Sequence, residues 1–262
     1  MRNKRLIVLL SIFVAITLIV VFSSVTFSVK QVYGYCYNDE DPTLCQTVSS
    51  RENVGDIVGK SIFMVSESKI KASIEKKNPD VKVINIEKKF PNLVYVNFVK
   101  IFPYLVYETQ DSALLISNDS KILSTTAKET TYLNQVKLIT DTAPNSTEIG
   151  QALYEQNTDE KEIIAQIMDV MQRIDLHSHV VDMFEFIDIT NTCKNGLTYI
   201  KTRSGVYIEL QNGKDDIVGK LTMAISVYVS DQTQYMTSGT IIVPSARSAQ
   251  YSKENRYENG VA

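Results

Sequence analysis

Histidine occurs twice and cysteine three times in the 262 residues, and their placement excludes the commonest metal and nucleophile chemistries. Cys36, Cys45 and Cys193 form no CxxC, and no Cys/His grouping has zinc-ligand spacing. His177 and His179 stand one residue apart with no third His or Cys to complete a site, and read as a solvated helix end. G-x-S-x-G, P-loop and H-E-x-x-H patterns are missing. Three S-x-x-K tetrads occur, Ser66–Lys69, Ser68–Lys71 and Ser73–Lys76. The S-D-N and K-T-G companions that this chemistry needs are absent, so the serines read as a helix cap followed by a lysine-rich solvated face. The acidic residues offer no recognisable catalytic pair. A net charge of −3 with 22% charged residues gives no bias toward nucleic acid. There is no internal repeat and no low-complexity tract. The expectation is a chain without catalytic residues, cofactor or metal.

What is abundant is apolar sequence at the start. Leu6 to Val29 is uncharged, and Arg2, Lys4 and Arg5 precede it. At about 1.5 Å per residue, roughly 24 helical residues reach ~36 Å, against a hydrocarbon core of ~30 Å. The run therefore predicts a membrane-spanning helix, with the cations holding residues 1–5 in the cytoplasm and the bulk outside. A cleaved signal fits less well: the run exceeds the usual ~7–15 residues, and Ser23, Ser24 and Ser28 are poor cleavage candidates. Residues 30–55 read as a polar linker. Cys36 and Cys45 bracket a short loop there, either bridged in an oxidising compartment or present as two thiols. Cys193 reads as a surface thiol.

Beyond the linker the pattern is α+β. Ser61 to Val65 is a strand candidate. Ile70 and Ile74 fall four apart on one helical face, Ser66 is placed to cap, and Asn78-Pro79 ends the helix. In Val81 to Glu87 the apolar set switches faces after Val83, which predicts a bulge in a strand. Leu93 to Val99 is rich in β-branched and aromatic residues. Leu105 to Tyr107, Ala113 to Ile116 and the KIL after Ser120 read as further strands. Ile163, Ile167, Val170, Met171 and Ile174 form a helical stripe, with Thr158 as cap and Asp159 and Glu160 complementing its dipole. FEFIDI reads as a strand, Leu197–Thr202 and Val206–Leu210 as a hairpin around Gly205, and Asp215 to Ser230 as a second apolar-striped helix.

The segment from Gly59 to Tyr107 resembles a POTRA (polypeptide-transport-associated) domain. The resemblance lies in the helix ending at Asn78-Pro79, the Val/Ile-rich strand, Phe90-Pro91, and Val99-Lys100-Ile101 followed by Pro103. The second half resembles the β domain of the cell-division family FtsQ/DivIB, through Ile187-Asp188, Thr202 with Gly205 and Ile208 to Leu210, Lys220-Leu221, and Gly239-Thr240-Ile241-Ile242-Val243. The family's usual acidic position in that last strand is Ile242 here, the cytoplasmic tail is short, and the cysteine loop is not part of the family pattern. The resemblance implies residues 56–124 as a POTRA-like domain and 125–243 as a larger mixed β-sheet domain with helices, while 244–262 reads as a disordered tail. It further implies a bitopic division scaffold at the septum. Its partners would be the small coiled-coil proteins of the FtsB/DivIC and FtsL types, with lipid meeting the anchor.

A chain without catalytic machinery most naturally works by binding, and an exposed strand edge offers unpaired backbone groups to another chain. The uncharged, β-prone stretch before Pro244 is the expected edge: Tyr235, Met236, Thr237, Ser238, Gly239, Thr240, Ile241, Ile242 and Val243. A transport or secretion component handling unfolded clients, and a membrane-anchored extracellular sensor, are the alternative readings.

Overall fold

The computed structural model describes residues 2–37, 45, 54, 57–129, 131–174, 180–230 and 236–258. The chain divides into two compact units, Met1–Ile101 and Phe102–Ala262.

The first unit opens with helix α1, Arg2–Thr26, whose described apolar side chains, among them Phe13, Leu18 and Phe22, are exposed. The helix stops three residues short of the predicted span. Phe27 accepts from the Ile62 amide at 2.8 Å, Ser28 bridges to Ser61, and Val29 donates to the Lys60 carbonyl at 2.9 Å. Val29 is 1% exposed and belongs to the unit's core. Among the described residues no helix is long and apolar enough to cross a membrane. The expected transmembrane helix at 6–29 is corrected accordingly, and with it the single-pass anchoring, the inside–outside topology and the septal location that rested on it. The physical reason lies at the junction, where the end of the apolar run is used for core packing rather than for a continuing helix.

Strand β1, Gln31–Cys36, lies within the expected linker and pairs in parallel with β3, Leu93–Lys100. Its alternation puts Val32 and Cys36 into the core and Tyr33 and Tyr35 outside, as period two requires. β2, Val81–Lys89, flanks β3 on the other side, so the sheet order is β1-β3-β2. Its register shifts between Val83 and Asn85, the expected bulge, and leaves Ile84 outside. Helix α2, Glu67–Lys77, buries Ile70 and Ile74 beneath this sheet's core residues. Ser66 occupies the N-cap position, but its hydroxyl meets Ser68 at 2.8 Å rather than a backbone amide. Ser61 to Val65 forms a turn closed by the Met64 amide on the Ser61 carbonyl, not a strand.

The second unit is built on a nine-stranded sheet. Its strands are β4 (Leu105–Glu108), β5 (Ala113–Ile116), β6 (Ile122–Thr126), β7 (Val136–Ile139), β8 (Phe184–Asp188), β9 (Thr198–Thr202), β10 (Tyr207–Leu210), β11 (Thr240–Ser245) and β12 (Ser248–Ser252). The order across the sheet is β12-β11-β10-β9-β8-β7-β4-β5-β6. The pairs β4–β7, β7–β8 and β10–β11 are parallel, and the remaining ones antiparallel. Strands β4 to β6 therefore belong to this sheet, and the expected boundary near 124 moves back to Ile101.

One face of the sheet is covered by helices α3, Asp159–Ile174, and α6, Ile217–Tyr228. Ile163, Ile167 and Met171 of the first and Leu221, Ala224 and Ile225 of the second share a core with Ile208, Leu210, Ile241 and Val243. Burying each of the larger side chains among these contributes about 1.5–3 kcal/mol, which outweighs helix propensity in holding both helices. Thr158 does cap α3, accepting from the Lys161 amide at 3.4 Å, and the Asp216 carboxylate caps α6 by accepting from Gly219. Two short helices, α4 (Val180–Met183) and α5 (Thr192–Asn195), sit on either side of β8 in the chain. His177 and His179 lie outside the described residues.

Candidate functional site

The stretch expected to be the free edge is not at an edge. β11 pairs with β10 through Tyr207↔Thr240 to Leu210↔Val243, and with β12 through Thr240↔Ser252, Ile241↔Tyr251 and Ile242↔Gln250. Ile241 and Val243 are fully buried in the core, and Thr240 is fully buried as well. Gly239 takes φ 96, its carbonyl accepts from the Tyr207 amide at 2.9 Å, and a Cβ there would lie 2.5 Å from the Ser252 carbonyl oxygen. Ser238 accepts from the Tyr251 hydroxyl at 2.7 Å, Met236 packs against the core, and Tyr235 lies outside the described residues. With β11 paired on both sides, capture by strand addition at Tyr235–Val243 is corrected: the terminal strand is β12.

β12 was hidden because S-A-Q-Y-S has little apolar content and follows Pro244. The available signal was its period-two pattern, in which Ala249 and Tyr251 pack against the core while Ser248 and Gln250 are exposed. It carries no charge, and Arg247 and Lys253 stand just outside it. The Tyr207 and Gln211 amides bond to the Gly239 and Val243 carbonyls, so odd-numbered residues of β11 face β10 and even-numbered ones face β12. By the alternation of an antiparallel pair, Gln250 and Ser252 then turn their backbone groups to β11, while Ala249 and Tyr251 turn theirs outward. Among the described residues no strand pairs with that outer side.

Residues 244–258 of the expected disordered tail, 244–262, are ordered; the last four lie outside the described residues. Residues 253–258 fold back across the face opposite the helices. The Glu254 carbonyl accepts from the Thr240 hydroxyl at 2.9 Å, and the Arg256 amide donates to that hydroxyl at 3.2 Å. Arg256 Nε donates to Glu209 Oε2 at 2.7 Å. The Glu209 side chain is wholly buried and also accepts from Gln211 at 2.7 Å and Tyr199 at 3.3 Å. The Tyr257 hydroxyl donates to Asp188 at 2.8 Å, and its ring stacks on Tyr207 with centroids 5.3 Å apart and meets Tyr199 at 5.1 Å. Burial pushes the Tyr199 and Tyr207 hydroxyls up to about 12 and raises that of Tyr257 further, with carboxylate partners adding to the effect. The bond to Glu209 raises Arg256.

The other described side chains singled out in the sequence are divided between the two units. Ser66, Lys69 and Ser73 line a cavity of about 250 Å³ beside α2 with an apolar floor that includes Val54, Ile57 and Ile70. Ser66 there faces Ser68, and Lys71 meets Glu75 at 3.8 Å. Cys36 is buried in β1 and Cys45 packs on the same core; Cys193 is exposed, and burial of its sulfur raises the thiol. Among the described residues no group of three or more His, Cys, Asp or Glu could hold a metal ion.

A search with protein-family models finds no match, and no curated protein matches the chain.

Proposed function

We propose that this chain is a non-catalytic scaffold that captures an extended segment of a partner protein by adding it as a further strand to β12. The supporting observation is the terminal position of an uncharged strand whose outer backbone groups meet no other strand among the described residues. The resemblance to FtsQ/DivIB supplies the partner class: small coiled-coil division proteins of the FtsB/DivIC and FtsL types. The first unit favours this over handling of unfolded clients at its own sheet. Its β2 edge is blunted by the bulge at Ile84 and by Glu75, whose carboxylate accepts the Val83 amide at 2.9 Å.

Ala249→Pro removes one outward N–H while sparing the bonds of Gln250 and Ser252 to β11. Capture of a DivIC-type partner domain in a pull-down is expected to fall at least about tenfold, with the circular dichroism of the chain unchanged. Undiminished capture by folded Ala249→Pro protein would exclude strand addition at β12.

A further inference from the structure

Residues 254–258 are tied to three strands of the sheet beyond β12. Thr240 on β11 bonds Glu254 and Arg256, Glu209 on β10 bonds Arg256, and Asp188 on β8 bonds Tyr257. The Tyr207 hydroxyl on β10 closes the run by donating to Glu258 at 2.9 Å. β12 itself has five residues, one neighbouring strand, and a ladder whose register shifts between Ile242 and Ser245. So short an end strand frays unless something else holds it. We propose that residues 253–258 are a latch that keeps β12 in register as a capture edge, and that Arg256 is its positioning residue. Arg256 meets no partner in this scheme and acts through Glu209. With the guanidinium gone, Glu209 keeps Gln211 and Tyr199 as donors but holds a buried charge without a counter-ion. Water reaches that charge most readily if the strap lifts, and lifting the strap frees β12. The proposal rests on β12 being the capture strand, and it names the intramolecular contact that holds that strand in place.

The test is hydrogen exchange by mass spectrometry on the full chain. Arg256→Gln is expected to speed exchange across 248–252 by at least about tenfold, with 198–202 in β9 unchanged. The double variant Glu209→Gln/Arg256→Gln removes the stranded charge and is expected to restore protection to within about threefold of the parent chain. A general loss of packing would instead accelerate all the strands and resist this rescue, and that result overturns the latch. So does Arg256→Gln protein with unchanged exchange in 248–252. Should Arg256→Gln not fold, Tyr257→Phe removes the strap's bond to Asp188 and leaves the Arg256–Glu209 pair in place: faster exchange confined to 248–252 supports the latch, and unchanged exchange excludes it. Capture of the partner domain is read on the same variants. If exchange responds as stated while Ala249→Pro still captures, the latch stands and strand addition falls. If capture needs Ala249 but exchange ignores Arg256, the reverse holds.

Discussion

Gly205 shows how a single residue carries the geometry of the β9–β10 hairpin. Its φ is 98, and a Cβ would sit 2.4 Å from the Thr237 carbonyl oxygen, so a side chain meets both an unfavourable backbone region and fixed backbone atoms. Gly205→Ala is expected to lower stability by about 1–3 kcal/mol in urea unfolding. The hairpin turn also anchors a second crossing of the sheet's outer face. Arg203 donates to the carbonyls of Tyr132 at 2.7 Å, Leu133 at 3.2 Å and Gln135 at 3.1 Å, holding the segment whose Tyr132 covers Val106 and Ala113. Gly205 was legible in the sequence because positive φ is a local demand. Arg203's acceptors were not, since carbonyls some seventy positions away leave no mark on the Arg–Ser–Gly turn.

Among the elements, the sheet edges divide into protected and available ones. β6 is partly closed by the Ile122 amide on the Gln151 carbonyl and the Gly150 amide on the Ile122 carbonyl, both at 2.8 Å. β2 relies on its bulge and on Glu75. Glu75→Ala leaves the Val83 amide without that acceptor. Its exchange is expected to quicken at least about fivefold, seen as a local change at residues 81–84, with β12 unaffected. Faster exchange throughout the first unit would mean that Glu75 holds α2 in place rather than guarding an edge. The bulge was readable because a face switch within VKVINIE breaks period two. The edge position of β12 was not, because period two reports which face a residue takes and says nothing about which strands are neighbours.

Across the second unit, ion pairs join segments far apart in the chain, and three of the carboxylates, Glu108, Asp141 and Asp159, titrate low. Burial opposes ionisation of Glu108, but Lys137 at 2.8 Å and the Tyr132 hydroxyl hold its carboxyl below the usual range. Asp141 is lowered by its bond to Lys194, and Asp159 by its bond to Lys214. A carboxyl whose folded pKa is depressed binds fewer protons folded than unfolded, so its contribution is complete above the unfolded value and is lost as pH falls through the folded one. The urea midpoint is therefore expected to drop between about pH 5 and about pH 3, with a weaker slope at high salt because the aspartate pairs are exposed. Lys137→Met should flatten the part due to Glu108; an unchanged slope would remove that pair from the account.

At this same scale the division between sequence and tertiary structure becomes plain. The stripes of α3 and α6, the Gly205 hairpin, the bulge in β2 and the Thr158 cap were determined by the sequence itself, because each depends on residues within about one or two turns of one another. Tertiary structure alone decided four other features. It drew β1 out of an expected linker to lie beside β3 and assigned β4 to β6 to the larger sheet. It also used the end of the apolar run at Val29 as core, and carried the chain beyond Pro244 through β12 and back to Asp188. These outcomes turn on backbone hydrogen bonds and burial between residues distant along the chain. Any β-prone segment can offer such bonds, and only the assembled core selects which are made.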